Sequence, residues 1–151
     1  MNETTTPPKT LSGLPSYLIT RIAHRYNQTT HADLKAIGLS TITTRILASL
    51  KIFDSLTINE LCVHALAEQP TMSRALDRLE ADALIMRTVK DEDNRKRIIR
   101  LTPEGDKLVS KIWPVMLGAN EAMLEGISEA DRIVTLRTLL KVLENIRVHP
   151  I

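Results

Sequence analysis

The chain has 151 residues, of which 43% are hydrophobic and 25% charged, and carries a formal net charge of +2. Such a balance suits one globular domain, or one domain with an attached dimerisation element, not a disordered polymer. Four aromatic residues, Tyr17, Tyr26, Phe53 and Trp113, are too few for a sheet that stacks bases, and the apolar runs are too short to span a membrane.

Residues 1–10 are polar, hold two prolines and lack the apolar core of a secretory signal, so they read as a frayed tail. Leu11, Leu14, Leu18 and Ile22 then recur every three to four residues, and Pro15 fits only a first turn. A helix is expected from about Leu14 to Ala36, stopped by Gly38. Ser40 caps a second helix carrying Ile42, Ile46, Leu47 and Leu50. Thr57-Ile58-Asn59-Glu60 is a capping box opening a short third helix. A fourth is expected from Pro70, burying Met72, Ala75, Leu76 and Leu79.

Residues 84–89 and 97–101 then have strand character and flank a charged stretch, residues 90–96, which predicts a two-stranded hairpin with a long polar tip. Thr102 and Pro103 restart helix, with Glu104 at its positive end. This fifth helix is expected to reach Gly126, with a bend at residues 110–114 where Pro114 lacks an N–H. A sixth, from Ser128 to Val148, carries Ile133, Leu136, Leu140 and Leu143 on one stripe.

Two short helices followed by a hairpin is the order of a winged helix-turn-helix. In that geometry the second short helix enters the major groove and the hairpin tip reaches the adjacent minor groove. Residues 69–101 hold eight basic side chains against six acids, so arrangement matters more than net charge. Thr71, Arg74 and Arg78 lie at i, i+3 and i+7 opposite the apolar face and project together. Arginine can bond guanine bidentately, while Thr71 and Ser73 can meet phosphates or a thymine methyl. A solvated helix face with basic ends is the alternative for this helix taken alone, and the attached wing favours DNA.

The residues that follow the fourth helix carry a resemblance. Leu79-Glu80, Leu84-Ile85 with Arg87, residues 91–97 (DEDNRKR) and Leu101-Thr102-Pro103-Glu104-Gly105 resemble the multiple-antibiotic-resistance regulator (MarR) family, as do Gly38-Leu39-Ser40 and Leu56-Thr57. The resemblance spans roughly residues 14–145 and is most specific at the wing and the Leu-Thr-Pro-Glu-Gly that follows it. It implies a mainly α fold with a small β-hairpin wing. Residues 38–102 would form the winged helix-turn-helix, and the two chain ends, 11–37 and 103–148, a helical dimerisation region. It further implies a bacterial, cytoplasmic homodimer on pseudo-palindromic double-stranded DNA, usually a repressor, often released by a small phenolic or other aromatic effector. By the same match Asp93 braces Arg95, Arg95 enters the minor groove, and Lys96 and Arg97 join the DNA contacts. An effector site between dimerisation helices and winged domain would fall to Tyr17, Arg21, His24 and Trp113.

Two positions depart from the family pattern. Ala83 stands where a glycine usually follows the recognition helix, and Leu66 where many helix-turn-helix turns have one. If the chain still needs a left-handed residue at position 83, alanine adds strain of about 1 kcal/mol.

Other groups point to less. Cys62, the single cysteine, permits no internal disulfide, fits a reducing compartment and reads as a small buried residue. His24 and His31 are seven residues apart without a third ligand nearby, so no metal site is expected. There is no nucleophile motif, phosphate loop or paired-carboxylate site, so neither catalysis nor a cofactor is expected. The rival reading is a winged-helix protein-binding adaptor that does not bind DNA, against which Arg74, Arg78 and Arg95 argue.

Overall fold

The computed structural model describes residues 9–89 and 97–149. A 3₁₀ turn, Leu11–Gly13, leads into α1 (Pro15–Ala36), α2 (Thr41–Phe53), β1 (Ser55–Thr57), α3 (Ile58–Ala65) and α4 (Gln69–Ala81). There follow β2 (Ile85–Val89), β3 (Arg97–Leu101), α5 (Pro103–Met123) and α6 (Glu129–Ile146). No single described helix is long and apolar enough to cross a membrane.

Local chemistry sets most boundaries. Gly38, at φ 78°, ends α1, and the Ser40 hydroxyl accepts from the Thr43 N–H at 3.1 Å to start α2. The Thr57 capping box is complete: Glu60 N–H donates to the Thr57 hydroxyl, and the Thr57 N–H donates to the Glu60 carboxylate at 2.7 Å. Thr102 caps α5 by accepting from the Gly105 N–H at 3.0 Å, and Ser128 caps α6.

Some boundaries differ from expectation. Helix α4 starts at Gln69, one residue before Pro70, which sits in its first turn. Helix α5 is one element across Pro114, as expected, but stops at Met123 and not at Gly126, which lies in the turn that follows at φ 76°. Helix α6 ends at Ile146 instead of Val148. The hairpin is also not alone. Ser55–Thr57 forms a third, antiparallel strand, giving the order β1-β3-β2, with Leu56 opposite Ile99 and Arg87 opposite Ile99 from the other side.

The core lies between α2, α3, α4, the sheet and the first turns of α5. Ile46, Leu47, Leu50, Leu61, Met72, Leu76, Ile99 and Val109 are its fully buried members. Burial is uneven beyond it: α1 buries only Leu34, and α6 buries no residue at all. The result is a winged helix-turn-helix from which α1, the distal half of α5, and α6 project with apolar side chains exposed.

Candidate nucleic-acid interface

Helix α4 is held by its apolar face. Met72, Leu76 and Leu79 are buried, which turns Thr71, Arg74 and Arg78 outward and leaves Ser73 half-buried beside them. Neither Arg74 nor Arg78 has a hydrogen bond or ion pair to a described residue. Two exposed cations one turn apart on the same face can reach base edges or phosphates.

The turn before α4 depends on Leu66, which adopts a left-handed conformation (φ 56°, ψ 52°) while its N–H and that of Ala67 close the last turn of α3. Ala83, at φ 55°, does the same after α4. Both positions that depart from the usual glycine therefore keep the backbone shape that glycine would serve.

The junction behind the wing is tightly bonded. The Thr102 hydroxyl donates to the Ala83 carbonyl at 2.6 Å and accepts from Gly105, while the Thr102 N–H donates to the Leu84 carbonyl. A side chain at Gly105 would overlap that same Leu84 carbonyl oxygen. Leu101-Thr102-Pro103-Glu104-Gly105 is thus the latch between the end of α4, the wing and α5.

Arg87 on β2 has a different place from the other basic residues. Its Nη2 lies 2.7 Å from Asp77 Oδ1 and its Nη1 2.8 Å from Glu80 Oε2, both on α4. In sequence it is one arginine among eight basic residues. The available signal was the i, i+3 spacing of Asp77 and Glu80, which puts both carboxylates on one side of α4. Arg97 opens β3 with its side chain exposed, opposite Val89. Asp93, Arg95 and Lys96 lie outside the described residues.

The four residues expected at an effector site are only partly brought together. Arg21 Nη1 donates to the Tyr17 hydroxyl at 3.0 Å, and the two line a cavity of about 460 Å³ with the 3₁₀ turn. His24, exposed, pairs instead with Gln28 on its own helix at 3.0 Å. Trp113 packs against the winged-domain core, and neither it nor His24 lines that cavity. A separate cleft between α1, α2 and α5 is lined by Tyr26, Asn27, Thr30, Thr44, Arg45 and Met116, with Arg45 Nη2 donating to Asn27 Oδ1 at 3.0 Å. Cys62 is half-buried at the edge of the core, not fully enclosed as expected. Among the described residues no three His, Cys, Asp or Glu side chains gather as metal ligands.

Comparison with known proteins agrees with this architecture. The sequence model of the MarR family matches residues 37–97. The transcriptional repressor IacR of Pseudomonas putida is 27% identical over 117 residues, covering 78% of this chain and 70% of that protein. Among solved structures, a MarR-family transcriptional regulator from Silicibacter pomeroyi superposes with a TM-score of 0.87 at 43% identity, over 94% of this chain and 96% of that one. The S. aureus MepR–DNA complex gives a TM-score of 0.74 at 27% identity, over 88% and 98%. With near-complete coverage at 43% identity, the chain belongs to the MarR family of winged-helix transcriptional regulators.

Proposed function

We propose that the protein binds a pseudo-palindromic operator in bacterial cytoplasm as a homodimer and represses transcription there. Each copy places α4 in a major groove and its wing in the neighbouring minor groove. The observation that carries this reading is the outward face of α4, where Thr71, Arg74 and Arg78 stand exposed and the two arginines have no partner among the described residues. Arg74 or Arg78 reads a base edge. Ser73 and Arg97 contact the backbone. Asp93 orients Arg95 for the minor groove, with Lys96 beside it. The family resemblance supports the wing assignments. The reading assigns the chain no catalytic step.

An aromatic or phenolic anion is the effector class we infer. Tyr17 and Arg21 supply a phenol and a cation on α1, and the cleft at Arg45 offers a second guanidinium where α1, α2 and α5 meet. Occupying either site would alter how the projecting helices sit on the winged unit, and hence the spacing of two recognition helices. The single tryptophan, Trp113, is a built-in fluorescence reporter for that junction.

Mobility-shift titration of genomic fragments over a salt series tests the DNA reading. Affinity is expected to fall steeply, with a log–log slope of about −0.9 per neutralised phosphate. Weak, salt-insensitive binding to every fragment would favour the protein-binding adaptor instead.

A further inference from the structure

Three arginines of α4 and β2 differ in how they are held. Arg74 and Arg78 are exposed and unpaired among the described residues. Arg87, on the edge strand β2, is the opposite: its side chain is only 19% exposed, and both terminal nitrogens are spent on α4 carboxylates. Its Nε is wholly enclosed and has no hydrogen-bond partner among the described residues. That nitrogen faces protein, not solvent, so the guanidinium cannot swing out to DNA without breaking two charge-assisted bonds.

The acids it holds are not buried to match. Asp77 is 67% exposed and Glu80 41%. Asp77 lies between Arg74 and Arg78 in sequence, on the flank of the face they share, so an uncompensated carboxylate there would meet DNA phosphate at close range. Like charges facing each other across an interface cost binding and misplace the partner. Arg87 reduces that cost from behind, since it approaches from the wing side and leaves the outer edge of α4 to the two exposed arginines. The same two bonds tie β2 to α4 and fix the angle from which the wing leaves the recognition helix.

We propose that Arg87 is a positioning residue for DNA binding: it bonds Asp77 and Glu80, offsets one of their two charges and locks the wing to α4 without touching DNA itself. This rests on the reading that α4 is the helix entering the groove. It separates the basic residues that bind from one that prepares the surface, a distinction that residue counting misses.

The test uses the full chain and one duplex recovered from a random-sequence pool by the wild-type protein, titrated over a salt series. Arg87→Gln is expected to weaken affinity about tenfold, because it exposes two acids and frees the wing. Arg87→Gln combined with Asp77→Asn keeps the net charge of the wild type and removes the carboxylate nearest the two exposed arginines, leaving only Glu80 without its partner. It is expected to regain affinity to within about threefold of wild type at an unchanged salt slope. Regain of this kind cannot come from a role limited to packing, since the residue at position 87 is the same in both variants.

A double variant as weak as the single one, or a slope shallower by about 0.9, would mean that Arg87 packs or contacts a phosphate directly, and overturns the proposal. So does an Arg87→Gln that binds like wild type. If Arg87→Gln does not fold, the double variant against wild type decides by the same slope and affinity. Arg74→Ala combined with Arg78→Ala on the same duplex guards the underlying reading. Its loss of affinity keeps α4 in the groove whatever Arg87 does, whereas wild-type binding by that pair removes the groove assignment and the proposal together.

Discussion

Among the described residues three that are not glycine, Asp54, Leu66 and Ala83, hold positive φ, and all three flank the helices of the DNA-binding unit. None of them has the latitude of glycine there, so the turns are kept by their surroundings: Ala83 by the Thr102 hydroxyl on its carbonyl, Leu66 by the carbonyls closing α3. Ala83→Gly is expected to raise stability by about 1 kcal/mol, since it relieves left-handed strain without loss of a contact. Urea denaturation would read this as a higher midpoint at unchanged m. Gly105→Ala should do the reverse, costing about 1–3 kcal/mol or more, because the new methyl falls on the backbone oxygen of Leu84 and not on a side chain that could move. A second residue-scale expectation concerns Cys62. Burial, and then the charge of Glu68, pushes its thiol above the ordinary range. The folded chain therefore favours the protonated form. Any stability this contributes is complete below the unfolded thiol's pKa and is lost as pH rises through the folded value. Alkylation by iodoacetamide, followed against pH, should show its midpoint above that of the unfolded chain.

At the scale of elements, what could be read from sequence was what is local. Ser40, Thr57 and Thr102 mark helix starts because a cap bonds only three residues away, and Met72, Leu76 and Leu79 mark the face of α4 because period 3.6 repeats within one helix. Strand β1 was not legible. Three residues hold no pattern of their own, and Ser55–Thr57 is a strand only because β3, over forty positions on, pairs with it. The four residues expected at an effector site are only partly brought together for the same reason. Tyr17 and Arg21 share a helix and were found together, but Trp113 follows Val109 and Ile112 on the face of α5 that packs on the winged core. The α5–α6 connection rests on a tie across a single turn. Arg132 bonds Glu121 at 2.7 Å and donates to the carbonyls of Leu124 and Ile127 at 2.9 and 3.1 Å, so one side chain satisfies the end of α5 and sets the turn into α6. Arg132→Ala is expected to cost about 1–3 kcal/mol by leaving those carbonyls without their charged donor. Hydrogen exchange should show faster opening at residues 124–132 and little change in α4. Equal acceleration throughout would mean that the tie is not local.

For the whole molecule, the division between a packed winged core and poorly buried ends decides the assembly. Leu136 and Leu140 are 60% and 61% exposed on α6, with Ile133 and Leu143 along the same stripe, and α1 shows Leu14, Leu18 and Ile22. Contiguous apolar surface of that extent is uncommon on a free monomer. A second copy offers the same stripes by two-fold symmetry, so each end can cover the other's. We therefore expect a dimer in sedimentation at micromolar concentration, with a buried area above ~2,000 Å². Leu136→Lys with Leu140→Lys should convert it to a monomer, as four buried charges per dimer would have no partners. The monomer should stay folded, because the core of Ile46, Leu61, Met72, Ile99 and Val109 uses neither side chain. Its DNA binding isolates what pairing contributes. One winged unit on one half-site loses the avidity of the second, so affinity should drop by about 10²–10⁴, and the salt slope should fall to about half, since half the phosphates are contacted. A wild-type monomer would refute the dimer outright. A variant that becomes monomeric yet keeps the full slope would mean that the second winged unit never touched the operator, and that the exposed stripes serve assembly alone.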